Sequence, residues 1–181
     1  MIGQRAARPD QKGLTLIEVL VGLVLLAVLG GLAIPSFADY LERQRLKMAA
    51  EQLAESLNLA RAEALAQQQF MYVQLSGQGG ERWCYAVSAQ AKCDCFTGAC
   101  QPVQRVDSTA LRGIELAGSS RPMFRFNWKN GSATGGNGTA SFVGQRTGQR
   151  LCVVLSNLGR VRMTTSKTKP VPGYTPDAGC S

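Results

Sequence analysis

The sequence contains no histidine, and its carboxylates form no evident catalytic pair. A histidine-based catalytic triad and a histidine-containing metal cluster are therefore excluded. Serine and cysteine residues are scattered along the chain, without a neighbouring base that would activate them. These absences argue against an enzyme, and we expect neither a cofactor nor a metal ion.

Acidic residues are nearly absent from the last third of the chain. From Arg121 onward, nine basic residues are opposed by a single acid, Asp177, which leaves a net charge of +8 in this part. Residues 14–120, in contrast, carry eight basic and ten acidic side chains. An excess of this size favours a polyanionic partner. The alternative is an ordinary basic face in contact with solvent.

The six cysteines lack the paired CxxC spacing that is typical of zinc sites. In an exported domain, disulfides are the expected state, with zinc as the alternative at Cys84, Cys93, Cys95 and Cys100. Three pairings of these four are possible, and the sequence does not choose between them. We expect Cys152 and Cys180 to form a further disulfide that ties the C-terminal tail to the preceding strand.

A long apolar run dominates the N-terminal part of the chain. Glu18 is the only charged residue within residues 14–37, and about 20 apolar residues are enough for a helix to span a bilayer. A carboxylate inside such a helix costs about 2.5–3.5 kcal/mol near the bilayer centre, so it normally has a partner. A secretory signal peptide fits poorly, because the run is too long and no A-x-A-like site follows it.

Residues 12–20, with the sequence KGLTLIEVL, resemble the type IV prepilin signature. The resemblance implies that a prepilin peptidase cuts between Gly13 and Leu14 and methylates the new N-terminus. It also implies that the new amine pairs with Glu18 when the subunit packs among other pilins in a filament. Leu14 stands where most members of the family carry phenylalanine. The alternative is a plain single-pass anchor with a chance glutamate.

This resemblance divides the chain into three parts: a leader peptide at 1–13, a transmembrane or filament-core helix at 14–37, and a periplasmic pilin-like domain at 38–181. Basic residues in the leader keep it on the cytoplasmic side of the membrane. We therefore expect a single-pass inner-membrane protein whose C-terminal domain lies in the periplasm. Once the subunit is assembled in a pilus, that domain becomes extracellular.

The helix is expected to continue as an amphipathic segment to about Gln68. Its apolar residues recur mostly at three- and four-residue steps and predict a stripe that faces a core, made of Phe37, Leu41, Met48, Leu53, Leu57, Ala60, Ala64 and Leu65. The stretch LARAEAL at 59–65, followed by Val-Gln-Leu at 73–75, resembles the GspH/FimT branch of minor pilins and pseudopilins.

Short alternating segments downstream of the helix predict β-strands, at Met71–Ser76, Arg82–Ser88, Ile114–Leu116, Met123–Trp128, Ala140–Val143, Leu151–Ser156 and Arg160–Thr164. The cysteine-rich segment 89–102 is predicted to be a stapled loop. We expect the alternating aromatic residues Phe124, Phe126 and Trp128 to lie in the core. The predicted fold class is α+β, the type IV pilin fold, with a long N-terminal helix packed on an antiparallel sheet.

The sharpest surface feature is Gly159-Arg160-Val161-Arg162 in the last predicted hairpin. Because alternate residues of a strand share a face, both arginines project together while Val161 and Met163 point to the core. Guanidinium groups grip phosphates bidentately. Four further basic residues lie close in sequence and extend the predicted DNA contact, namely Arg146, Arg150, Lys167 and Lys169. The G-R-x-R element resembles that of FimT-type pilins, which bind DNA during natural transformation.

The resulting hypothesis is a minor type IV pilin that binds DNA non-specifically through this hairpin during DNA uptake. Its expected partners are other pilins, the prepilin peptidase, the inner membrane and DNA. The alternative is a structural minor pilin or type II secretion pseudopilin of the same branch, which primes or caps a filament without binding DNA. A third hypothesis is an adhesin-like minor pilin whose basic face meets acidic glycans.

Overall fold

The structure is a computed structural model that describes Gly13 and residues 15–98, 100–135 and 137–180. Within the helix, the side chains of residues 32–35 are not described. Residues 1–12 of the predicted leader, and Leu14 at the predicted peptidase cut, lie outside the described residues. The described chain falls into two compact units that divide between Ala38 and Asp39, and each is considered by itself.

A single long helix, α1, runs from Leu16 to Gln67. It begins after Thr15, whose side-chain oxygen accepts the backbone N–H of Glu18 at 3.4 Å. This Thr-x-x-Glu arrangement is typical of a capping box at a helix N-terminus. The helix contains an 18-residue window with a mean hydropathy of 2.6, so by length and composition it is able to cross a membrane.

From Asp39 onward, α1 is amphipathic and packs against β-sheet. Its core-facing stripe consists of fully or almost fully buried residues, Leu46, Ala49, Ala50, Leu53, Leu57, Ala60 and Ala64. The alanines let the helix backbone lie close to the strands. The predicted stripe was wrong at four residues that are exposed, Phe37, Leu41, Met48 and Leu65. Three- and four-residue steps lead from Leu46 to Ala64, and Met48 lies on the opposite side of that path.

The described strands form two sheets. The first has the order β3-β2-β1-β5, with β1 at Met71–Ser76, β2 at Cys84–Ser88, β3 at Gln104–Asp107 and β5 at Met123–Phe126. The second has the order β4-β6-β7-β8-β9, with β4 at Ile114–Ser119, β6 at Gly138–Gly144, β7 at Arg150–Leu155, β8 at Val161–Thr165 and β9 at Thr175–Pro176. All neighbouring strands are antiparallel except β8 and β9.

This architecture confirms the predicted α+β class. Each predicted strand is present, with ends shifted by a few residues. Strands β3 and β9 were not predicted, because β3 is polar and only partly buried and β9 is two residues long. Phe124 and Phe126 lie in the core as expected, whereas Trp128 is only half-buried.

Trp83, just before β2, joins the two sheets into one core. Its indole N–H donates to the backbone oxygen of Ile114 in β4 at 2.9 Å. Its ring lies 5.1 Å from that of Phe142 in β6 and is stacked on Tyr85 of its own sheet. Burial raises the pKa of the Tyr85 hydroxyl to about 12. One hydrophobic cluster therefore includes α1 and both sheets.

Glu42 fastens α1 to the second sheet. This side chain is only 6% exposed. Its two oxygens accept the backbone N–H groups of Arg146 and Thr147, at 2.8 and 2.9 Å. Both amides belong to the turn between β6 and β7, so one carboxylate satisfies two donors that would otherwise lack a partner. A Cβ at Gly144 would lie 3.0 Å from the Glu42 carboxyl, so glycine there leaves room for it.

Three disulfides staple the second unit, Cys84–Cys95, Cys93–Cys100 and Cys152–Cys180. No described cysteine is free, and no group of metal-ligating residues occurs among the described residues.

The C-terminal tail also packs against the domain through contacts other than its disulfide. Val171 is buried, and the hydroxyl of Tyr174 donates to Glu51 on α1 at 2.8 Å. The segment that carries Lys167 and Lys169 is therefore held against the domain.

Replacing Glu42 by alanine should lower the free energy of unfolding by about 2–3 kcal/mol, because it leaves two buried amides unsatisfied. Thermal unfolding of the full chain in detergent, followed by tryptophan fluorescence, measures the effect. The exposed Glu55 on the same helix offers a matched control, and Glu55→Ala should change stability by about 0.5 kcal/mol or less. Equal effects of both substitutions would contradict the proposed stabilisation of the β6–β7 turn by Glu42.

Candidate functional site

The last hairpin consists of β7, a turn at 156–160, and β8. Its turn is closed by hydrogen bonds between backbone groups: Gly159 N–H donates to the Ser156 oxygen, and Ser156 N–H donates to the Arg160 oxygen, both at 2.9 Å. The Ser156 hydroxyl accepts the Arg160 N–H at 3.1 Å. Gly159 has φ +75°, a left-handed conformation that glycine adopts without strain.

The hairpin brings Arg160 and Arg162 to the same groove. The groove has a volume of about 270 Å³, and its lining is completed by Val154, Ser156 and Leu158. Both arginines are exposed, while the intervening Val161 packs against the core. Two guanidinium groups thus lie on one surface that the sheet holds in place.

The hairpin turn rests on α1 and on the loop that precedes β6. Arg61 of the helix donates through Nη1 to the backbone oxygen of Gly159 at 3.4 Å. The Asn157 oxygen accepts the Ala133 N–H at 2.9 Å. A Cβ at Gly159 would lie only 2.3 Å from the Gly131 oxygen. Arg61 belongs to the LARAEAL stretch, but its sequence position gave no signal that it supports the turn.

Arg162 forms an ion pair within the domain. Its Nη2 lies 3.3 Å from Oδ2 of Asp177, with side chains 65% and 31% exposed, respectively. The backbone N–H of Asp177 donates to Thr165 of β8 at 2.9 Å, which fixes the acid beside the strand. Exposed pairs of this kind are worth about 0.2–1 kcal/mol, so a polyanion is able to displace the carboxylate. The sequence identified Asp177 as the lone acid of this region but not its contact.

Arg150 and Lys167 line a neighbouring depression of about 440 Å³. Asp177 also lines it, which links this depression to Arg162. The guanidinium of Arg150 is held by a hydrogen bond from Nη1 to the Ser141 hydroxyl at 3.3 Å. Two of the four additional basic residues therefore line a depression that is linked to Arg162 through Asp177.

Arg146 and Lys169 line a different depression, of about 490 Å³, beside α1. Arg146 is ion-paired there through Nε to Oδ1 of Asp39 at 2.6 Å. Lys169 donates to the Thr147 oxygen at 3.2 Å. The strands thus separate these two residues from the hairpin groove despite their closeness in sequence, and acidic residues offset the charge around them.

Of the predicted processing and assembly residues, the structure describes Gly13, which precedes α1, and Glu18, which lies within it. Gly13 is exposed, and Glu18 lies exposed in the first turn of the helix among exposed apolar side chains. A charged side chain on an otherwise apolar helix needs a partner if this segment is surrounded by lipid or other helices.

Comparisons with known proteins identify two sequence families. A model described as "Type II transport protein GspH" matches residues 49–159, more than half of the chain. A model of the prokaryotic N-terminal methylation motif matches residues 8–34. No curated protein sequence matches the chain significantly.

Three solved structures are similar to the fold. One crystal form of the type IV minor pilin FimU of Pseudomonas aeruginosa is 19% identical in sequence, with a TM-score of 0.55. The match covers 71% of this chain and 97% of the FimU chain. A second crystal form is 18% identical with TM-score 0.52, covering 67% and 98%. The minor pseudopilin EpsH from the type 2 secretion system of Vibrio cholerae is 18% identical with TM-score 0.48, covering 67% and 97%. The likeness to FimU confirms the predicted type IV pilin fold.

Replacing Gly159 by alanine should destabilise the domain by about 2–4 kcal/mol, since the left-handed backbone and the clash with Gly131 both oppose a Cβ. Gly173 provides the control, because its φ is +93° but nothing lies within 4 Å of a Cβ built there. Gly173→Ala should cost only about 1–2 kcal/mol. Thermal unfolding of both variants measures the difference, and equal losses would disprove close packing under the hairpin turn.

Proposed function

The chain belongs to the GspH family of minor type IV pilins and pseudopilins, and we propose that it is a minor pilin that binds DNA during natural transformation. The observation that carries this proposal is the pair of exposed guanidinium groups, Arg160 and Arg162, in one groove of a sheet-held hairpin. The pair lies in the part of the chain that carries a net charge of +8 from Arg121 onward.

Phosphate is the group that this surface suits best. The planar fork of arginine matches phosphate oxygens bidentately. Among the described residues that line the groove, the two arginines are accompanied only by Val154, Ser156 and Leu158. Contacts with the phosphate backbone carry no base information, so the proposed binding is non-specific in sequence.

The proposed contact surface is smaller than the sequence predicted. Arg160 and Arg162 form its centre, and Arg150 and Lys167 border it across Asp177. Arg146 and Lys169 are left out, because they lie in another depression and contact Asp39 and Thr147 there. Asp177 occupies a position at Arg162 that a phosphate would take, so it weakens DNA binding without preventing it.

The N-terminal segment fits the same proposal. The prepilin peptidase would cut between Gly13 and Leu14, and Glu18 would pair with the new amine of Leu14 within a filament. The apolar part of α1 would anchor the protein in the inner membrane before assembly, with the domain in the periplasm. The match to the N-terminal methylation motif supports this processing.

A structural subunit that does not bind DNA is the second candidate function. The description of the matching family model as a type II transport protein favours a role in a secretion system. Such a subunit needs Glu18 and the packing of α1, but it has no use for Arg160 and Arg162. Binding of DNA by the purified protein therefore separates the two candidates.

Replacing Arg160 and Arg162 together by glutamine should reduce DNA affinity and flatten its salt dependence. Each phosphate contact contributes about 0.9 to the slope of log K against log salt concentration on duplex DNA, so the double variant should lose about two units. Fluorescence anisotropy with labelled duplexes of several sequences, using the full chain in non-ionic detergent, measures both quantities.

Two single variants serve as controls for this experiment. Arg146→Gln removes an exposed basic residue outside the groove and should leave the slope nearly unchanged. Asp177→Asn removes the competing carboxylate and should raise DNA affinity. If Arg146→Gln flattens the slope by about one unit, half of the change expected for the double variant, the attraction is diffuse. If the wild-type protein binds no DNA at low salt, the structural subunit is the better answer.

Replacing Glu18 by alanine should leave the domain folded and impair incorporation into the filament, because the proposed partner of the new N-terminal amine is lost. Immunoblotting of isolated filaments or of the initiating complex measures incorporation, with Glu55→Ala as the control. Normal incorporation of the Glu18 variant would contradict the role assigned to this carboxylate.

A further inference from the structure

A single asparagine connects the β4–β5 turn to the hairpin turn. The side-chain oxygen of Asn137 accepts the backbone N–H of Asn157, next to Leu158, at 2.9 Å. Its backbone oxygen accepts Nε–H of Arg121 at 3.0 Å. Arg121 is therefore fixed relative to the hairpin, although it lies far from Arg160 in sequence.

The guanidinium of Arg121 is oriented but not neutralised. Among the described residues the ion pairs are Arg146–Asp39 and Arg162–Asp177, and neither includes Arg121. The bond from Nε to a backbone carbonyl fixes the plane of the group without cancelling its charge. Its two terminal nitrogens remain as a fork of donors, the geometry that arginine uses for phosphate.

The sheet sets the separation between Arg121 and Arg162. Arg162 pairs with Val154 across β8 and β7, and Val154 pairs with Thr139 of β6. The Thr139 oxygen accepts the N–H of Ser120, the residue before Arg121, at 2.8 Å. Three steps of about 4.8 Å between adjacent strands give a distance of about 14 Å across the sheet, from the backbone of Arg162 to that of Ser120.

This distance is close to the width of the DNA major groove, about 12 Å. We propose that Arg121 is the second arm of the DNA site and that it contacts one backbone of a duplex while Arg160 and Arg162 contact the other. The inference rests on the proposed DNA-binding function and deepens it, since it specifies double-stranded DNA as the ligand. A single strand has only one backbone and does not engage both arms in this way.

The test compares duplex and single-stranded oligonucleotides of the same length in anisotropy titrations with the full chain in detergent. Arg121→Gln should weaken duplex binding about fivefold at low salt and flatten the salt slope by about one unit. Its affinity for the single strand should stay within about twofold of wild type. Arg112→Gln, which removes an exposed arginine elsewhere on the domain, serves as the control and should change neither affinity.

The conservative variant Arg121→Lys checks that charge, rather than a displaced turn, explains the loss. It should recover most of the duplex affinity and the slope, while an equal loss in both variants would overturn the proposal. Equal weakening of duplex and single-strand binding by Arg121→Gln would also overturn it, as would duplex binding like that of wild type.

The double variant of Arg160 and Arg162 separates the test of DNA binding from the test of the Arg121 contact. If the double variant loses DNA binding and Arg121→Gln keeps it, the proposed contact of Arg121 with DNA is wrong. The proposed DNA-binding function would still hold in that case. If the wild-type protein binds neither duplex nor single-stranded DNA, the proposed function is wrong. The proposed contact of Arg121 with DNA is then wrong as well.

Discussion

The apolar stripe of α1 is buried against both sheets, and this packing organises the domain. Leu53 and Leu57 lie in the same cluster as Trp83 of the first sheet region and Phe142 of the second. Burying a leucine of this kind stabilises the folded chain by about 1.5–3 kcal/mol. Removing the helix would expose one face of each sheet at once, so strands that are distant in sequence are held in register by one element.

The position of the candidate site follows from this packing. Glu42 fixes the β6–β7 turn to the helix, and Arg61 supports the turn at the other end of β7 through Gly159. The hairpin therefore presents its arginines from a surface that is braced at both ends. The same arrangement places Asp177, the only acid from Arg121 onward, against Arg162. In the proposed DNA site, a phosphate would therefore compete with this carboxylate.

Patterns that are local in sequence could be predicted, and contacts across the sheet could not. The two-residue period of a strand was enough to place Arg160 and Arg162 on one face, and the glycine before them marked the turn. The helix was evident from its period, but the stripe was misplaced at Met48, because apolar residues occur on both sides of the helix there. Arg146 lies close to Arg150 in sequence, yet the β6–β7 turn carries it to Asp39. Arg121 lies three strand steps from Arg162, a relation that only the strand order reveals.

In the proposed mode of binding, DNA contacts a discrete set of arginines held by the sheet and is not attracted by diffuse positive charge alone. Arginine-directed chemical modification of the full-length protein, with and without duplex DNA and read by mass spectrometry, tests it most directly. DNA should slow modification at Arg160, Arg162 and Arg121 and leave the modification of Arg112 and Arg146 nearly unchanged. Equal slowing at every exposed arginine, or no slowing at Arg160 and Arg162, would contradict it.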